Sequence, residues 1–251
     1  MLEGLKEALQ YVVNLGNDAE KVQVLEICGE TYANKRLERY GAPKRASAIG
    51  AASLSAMVDY IAACSEEFDG KKMVIQIDGP KTVRLVSFLD SERKRECLFL
   101  CEAETSEYRF GAWYDQEEFM IAVQSNFATT PDLEAIMKFA GNVEQKNNTT
   151  YSDDGRTQVA TMNVGVASKA DVIVPNPVDL VPFRTFQEVK QPNSQFVFRL
   201  SDQGTPAFKI VEAEGGIWKN EAVSRIKEYF KKALADMPEE IQNQNRIVII
   251  G

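Results

Sequence analysis

PFRTFQEVKQPNSQFVFRL, Pro182–Leu200, holds four Phe, two Arg and two Pro in nineteen residues and carries no catalytic motif. Phe196 and Phe198 alternate with Val197 and Arg199, the period-two pattern of a strand with one buried face. Phe183 and Phe186 flank Arg184 in a segment that the prolines limit. On one reading the Phe rings anchor a connection onto the core. On a sharper reading they line a pocket where Arg184 or Arg199 pairs with a phosphate or carboxylate while Phe183 or Phe186 stacks on a base. Arg suits planar, bidentate contact with such anions.

Working outward, PAFKIVEAE reads as a second short strand, and Gly215-Gly216 precedes a long helix over about 217–235. Its apolar stripe is Trp218, Ala222, Ile226, Tyr229 or Phe230, and Ala233, with Glu221–Arg225 and Glu228–Lys232 as i,i+4 pairs on the wet side. RIVII, residues 246–250, reads as the last strand. Upstream, residues 142–170 are polar and β-rich, with Asp154-Gly155 between two extended arms as a hairpin signal. So polar a hairpin should project from the body or pair with another subunit.

The first half is richer in helix. LEGLKEALQYVVNL places Leu2, Leu5, Leu9, Val12 and Val13 at helical spacing. A second helix is expected over Ala19–Cys28, then extended structure in GETYANKRLERYG and a connector over 43–52. Ser53 suits the N-cap of a helix whose stripe is Leu54, Met57, Val58, Ile61 and Phe68. KKMVIQID, KTVRLVSFL and RECLFLCEA predict a three-strand meander, with Cys97, Phe99 and Cys101 on one face. A helix begins near Asp115 with Phe119, Met120, Val123 and Phe127 inward. Thr130-Pro131 starts another, as an N-cap followed by Pro at the first helical position, lined by Leu133, Ile136, Met137 and Phe139.

The class is therefore α+β: N-terminal helices with a β-meander, a polar β-hairpin arm, and C-terminal strands packed with a long helix. The expected division is 1–141 and 142–251, with a single intertwined domain as the alternative.

With 251 residues the chain can bury a real core. Hydrophobic residues make up 44% and charged residues 26%, and the net charge is −8. Such a surface repels nucleic acid on average, although a local basic patch could still bind it. The chain contains no histidine. That removes Ser-His-Asp and Cys-His catalysis and any imidazole metal site within this chain. Neither GxxxxGK[ST] nor GxGxxG occurs. Carboxylate, Lys, Tyr or Cys chemistry remains open, so no catalytic residue, cofactor or metal is assigned and the expectation is a protein that is not an enzyme. Cys28, Cys64, Cys97 and Cys101 form no CxxC pair or secretory framework. The opening MLEGLK lacks a basic n-region and a long apolar h-region, and no apolar run approaches ~20 residues. A cytosolic protein with reduced thiols and no membrane partner is expected.

The segments SLSAMVDYI, FGAWYDQEEFMIAVQSNF, TTYSDDGRTQV, PFRTFQEVKQPNSQFVFRL and EAEGGIWKNEAVSRIKEYF, in this order over most of the chain, resemble a phage and prophage family of unknown function typified by the prophage protein YfdQ. The resemblance is stronger to the branch from phages of Gram-positive bacteria. It implies a phage-derived protein acting in the bacterial cytoplasm, outside the main virion modules. It brings no activity, cofactor or site residue.

Other candidates have plainer explanations beside them. Arg93-Lys94-Arg95, with Lys71-Lys72 nearby in the meander, could form a small basic patch, although such turn charges are usually solvated. Tyr108, Phe110, Trp113 and Tyr114 resemble a stacking platform, but Arg109 is their only interleaved cation and Asp115, Glu117 and Glu118 follow at once. Asp153-Asp154 is explained by turn geometry rather than metal. Cys97 and Cys101, four strand residues apart, would be about 13 Å from each other, too far for a disulfide.

Two functions of different class follow. The first is a non-catalytic protein that associates with itself into a homo-oligomer, a scaffold, shell or ring, with the 142–170 arm exchanged between subunits. The alternative is a nucleotide or single-stranded nucleic-acid binding module serving phage recombination or counter-defence, built on Arg184, Arg199 and the 93–95 cluster. An enzyme using carboxylates or Lys with an added metal ranks third.

Overall fold

The computed structural model describes residues 2–35, 45–63, 72–143, 151–153, 157–164, 168–201, 206–239 and 247–251. The chain divides into two compact units, Met1–Arg45 and Ala46–Gly251.

In the first unit, α1 (Leu2–Glu20) is followed by an antiparallel hairpin of β1 (Val24–Ile27) and β2 (Glu30–Ala33). The helix expected over Ala19–Cys28 is thus corrected: α1 absorbs its first residues and β1 its last. The reason is local. Val22, Val24 and Ile27 are β-branched, which favours extended backbone. Cys28 and Gly29 take φ of 54° and 81° between the paired residues Ile27 and Glu30. Two successive left-handed residues make the tight turn that suits a hairpin's twist. Asn34 closes the base: its Oδ1 accepts from Gln23 N–H at 2.8 Å and its Nδ2 donates to Lys21 O at 3.1 Å.

The second unit is α+β and contains two five-stranded sheets. The first has the order β15-β4-β5-β6-β3. Its centre is the expected antiparallel meander, β4 (Met73–Ile77), β5 (Thr82–Ser87) and β6 (Cys97–Glu102). β3 (Ile49–Ala51), inside the expected connector, pairs parallel to β6, and β15 (Ile247–Ile250) pairs parallel to β4. Leu54, Met57 and Ile61 of α2 (Leu54–Ala63) and Ile226 and Phe230 of α5 (Trp218–Ala235) share a core with Ile75, Leu85, Phe99 and Cys101 of the sheet. Phe68 lies outside the described residues.

The second sheet has the order β7-β14-β13-β12-β8. Its long strands are β12 (Val178–Pro182), β13 (Ser194–Ser201) and β14 (Ala207–Glu212), flanked by the short β7 (Tyr114–Asp115) and β8 (Phe127–Ala128). α3 (Gln116–Asn126) and α4 (Pro131–Asn142) bring Phe119, Val123, Leu133, Ile136 and Phe139 onto Phe196, Phe198, Phe208 and Ile210. The helix starts are as expected. Asp115 accepts from Glu118 N–H at 2.8 Å, and Thr130 Oγ1 from Leu133 N–H at 3.1 Å with Pro131 next.

Two features of the second unit were not legible in the element order. α5 packs on β15 and β4, while β13 and β14 are covered by α3 and α4. Both sheets also draw strands from either side of residue 141. The polar region supplies β9 (Tyr151–Asp153), β10 (Thr157–Val164) and β11 (Ser168–Pro175), a three-stranded sheet in the order β11-β10-β9. Its base is fixed by Val174, buried in the α3–α4 core. Asp154-Gly155, the expected turn, lies outside the described residues.

Candidate functional site

The segment between β12 and β13 is held by one amide. Gln191 Oε1 accepts from the backbone N–H of Arg184 (2.9 Å) and Thr185 (3.2 Å), and its Nε2 donates to the carbonyls of Thr185 (3.3 Å) and Phe186 (3.0 Å). The loop so formed reaches both cores. Thr185 Oγ1 donates to Pro80 O at 2.6 Å, and Phe186 and Val189 enter the first sheet's core. Arg184 turns to the second sheet.

Arg184 is 5% exposed. Nη1 donates to Glu212 Oε1 at 2.8 Å and Nη2 to Ser194 Oγ at 2.6 Å. Its Cζ lies 4.1 Å from the Trp218 ring centroid and 5.5 Å from that of Phe196. Burial lowers the Arg184 pKa, and the Glu212 charge and hydrogen bond, with Glu214 beyond, oppose that shift. A buried guanidinium persists only when paired and hydrogen-bonded in this way. Its Nε and the Trp218 Nε1 are buried without a hydrogen-bond partner among the described residues. The arrangement joins the β12–β13 loop, the strand ends at Ser194 and Glu212, and the first residue of α5.

Phe183 is 37% exposed, and its backbone continues the sheet edge, donating to Asn126 O and accepting from Ser106 N–H. Phe186, at 1%, is core. Phe183 and Phe186 therefore do not form two walls of one slot.

Arg199 belongs to a different surface. On β13, Ser194, Phe196 and Phe198 share the buried face, and Arg199 lies on the other. Its register partner on β14 is Lys209, whose ammonium stands 4.3 Å from the half-exposed Trp113 ring centroid. The structure thus separates Arg184 from Arg199 and pairs Arg199 with Lys209, which lies beside Trp113. Sequence reasoning missed Lys209, because pairing across β13 and β14 depends on register. The remaining aromatics of the 108–114 run face inward: Tyr108 is buried, stacked with Tyr114 and packed edge-on to Phe127.

Arg93-Lys94-Arg95 sits in the turn between β5 and β6, with Arg93 at φ 58°. Lys94 Nζ pairs with Glu92 at 3.0 Å and an Arg95 Nη donates to Ser87 O at 3.1 Å. Lys72 lies over Phe88, 6.0 Å from its centroid. These groups secure the turn.

A cavity of about 390 Å³ opens beside the same β12–β13 segment, lined by Ala52, Ser53, Glu104, Phe186, Gln187 and Glu188. Glu188 Oε1 accepts from Leu54 N–H (2.7 Å) and Ser55 N–H (3.3 Å), so it caps α2 from 134 residues away. Ser53 Oγ adds a longer contact to Ala56 N–H at 3.4 Å. Cys101 beneath donates to Ser53 O at 3.1 Å. Burial first, then the Glu188 carboxylate, pushes its thiol from 9.0 up to about 12, which keeps it protonated and unreactive.

Among the described residues, no group of three or more Cys, Asp or Glu is placed to hold a metal ion, and no helix is long and apolar enough to cross a membrane. No protein-family model, no curated protein and no solved structure matches this chain.

Proposed function

We propose that this chain is a non-catalytic, phage-type protein of the bacterial cytoplasm that assembles with copies of itself as a scaffold, shell or ring. The observation that carries this reading is exposed apolar surface. Twenty-one large hydrophobic side chains are exposed among the described residues, and eleven of them lie between Leu5 and Tyr32. Surface of that kind, gathered in one part of a chain, marks an interaction site. The segment resemblance supplies the phage setting. Native mass spectrometry of the purified chain without added ligand tests the reading. A discrete oligomer with no extra mass is expected, and a monomer at every accessible concentration overturns it.

One observation favours nucleotide or single-strand binding as a second reading. Arg199 and Lys209 are direct cross-strand neighbours, so two cations stand side by side on one face of the sheet. Trp113 beside Lys209 offers a stacking face. A short single-stranded oligonucleotide should then quench tryptophan emission at low salt, with the effect lost in Arg199→Ala/Lys209→Ala. Unchanged emission in the wild type removes this reading.

A further inference from the structure

We infer that the surface on which copies of this chain meet is the N-terminal unit, α1 together with the β1–β2 hairpin, and not the polar 142–170 arm. The inference rests on the self-association reading above and names its interface.

α1 is amphipathic, and within its own unit no described residue covers its apolar side. Leu5, Leu9, Val12 and Val13 fall on one helical face at 60%, 59%, 63% and 55% exposure, and Leu15 borders it at 51%. The hairpin repeats the pattern. Leu25, its register partner Tyr32, and Ile27 share one face, and every residue of both strands is exposed. An isolated two-stranded hairpin is marginal in water and gains independent stability when further strands or a packed layer cover it. These two strands are paired only to each other among the described residues, so each also presents an open edge.

Two considerations select a second copy as the occupant. The first is area. From their fractional exposures, the apolar residues of the α1 face and of the hairpin face together present roughly 800 Å², of the order of the ~800 Å² per partner of a standard stable interface. Faces of that extent, presented identically by each copy, are enough for a second copy to cover about a two-fold axis. The second is charge. The polar side of α1 carries Glu3, Glu7 and Asp18 against Lys6, with no basic residue in the last turn. Helices that lie on anionic lipid are rich in Lys and Arg on the polar face, and nucleic acid demands the same sign. The acidic face disfavours both and leaves an apolar protein surface.

Sedimentation velocity on the full chain, wild type beside Leu5→Ser/Leu9→Ser/Val12→Ser, tests this. The wild type should sediment as an oligomer. The triple variant should be a monomer, with at least a tenfold weaker self-association and an unchanged melting midpoint for the Ala46–Gly251 unit. The three side chains are exposed within the protomer, so their loss does not open its core. As a second readout, Val12→Cys in a Cys28→Ser background should give an intermolecular disulfide on mild oxidation. A triple variant that keeps the wild-type oligomer, or a Val12→Cys chain that forms no cross-link, overturns this interface while leaving self-association standing. A monomeric wild type instead overturns the self-association reading itself.

Discussion

The segment 183–194 and the segment 5–32 invert each other's appearance. The first is rich in polar groups, yet Arg184, Thr185 and Ser194 are among the few buried polar or charged residues described. The second is rich in Leu, Val and Ile, yet none of its described side chains is buried. The difference lies in what each segment can satisfy within the protomer. Around Arg184 the chain supplies a carboxylate, a hydroxyl and two aromatic faces, which together make burial of the guanidinium tolerable. Leu9 and Val12, by contrast, stand 59% and 63% exposed. Residue type thus sets the requirement, and the partners that converge on a position decide burial.

The sharpest way to break this contrast is to remove the buried cation. Arg184→Ala should lower stability by about 2–4 kcal/mol, because it strands Glu212 and Ser194 and empties the space between Trp218 and Phe196. For a unit of this size that is a fall in melting midpoint of roughly 5–15 °C. Arg184→Lys should recover only part of it, since one ammonium cannot reproduce the planar fork or the stacking. Differential scanning calorimetry on the two variants measures both. If Arg184 served chiefly as a ligand-binding residue, Arg184→Ala would melt with the wild type, and the contrast with the exposed N-terminal segment would collapse.

How much of this was legible in the sequence follows from the range of each interaction. The meander, α3, α4 and α5 were readable because their signals are local: period-two alternation in RECLFLCEA, Asp115 and Thr130 as caps, and Trp218, Ala222, Ile226 and Phe230 at helical spacing. The architectural reading of Pro182–Leu200 rested on the alternation of Phe196 and Phe198, which is also local. The hairpin at Val24–Ala33 was missed because Cys28 is an unusual residue for a left-handed turn position, so only Gly29 carried the signal. The partner of α5 was not legible, since sequence order places it after β14 while its stripe packs on β4 and β15. Arg184 and Arg199 looked equivalent, each beside Phe. Their separation depends on which face of β13 each meets, and on Glu212 and Trp218 arriving from far along the chain. Lys209 beside Arg199 required the strand register, and Glu188 over α2 required the whole fold.

A milder test uses that cap. Glu188 belongs to the same segment as Arg184 but is itself exposed, so its contribution should be that of a helix cap and no more. Glu188→Ala should cost about 1 kcal/mol, the usual worth of a capping acceptor, helped here by a carboxylate at the positive end of α2. Glu188→Gln should cost less, since its amide oxygen still accepts from Leu54 and Ser55. Chemical denaturation of the three proteins ranks them. Equal loss in the Gln and Ala variants would mean that the charge matters rather than the hydrogen bonds.

The smallest expected effect is a slope. Cys101 lies under the same segment, and its thiol is pushed up to about 12 by burial and then by Glu188. A folded pKa above the unfolded one means that the folded state holds this proton more tightly. The stabilisation is therefore complete below about pH 9 and fades as pH climbs toward 12. Tyr108, raised by its own burial and by Tyr114, titrates in the same direction. The urea midpoint of the wild type should accordingly fall between pH 9 and pH 11. Cys101→Ala should start lower, because it opens space beside Met57 and Phe99, but should fall less steeply over that window, with the remaining slope left to Tyr108. An unchanged slope would mean that Cys101 reaches water in the folded state. The buried side of the contrast would then be looser at this point than Ser53 and Glu188 make it.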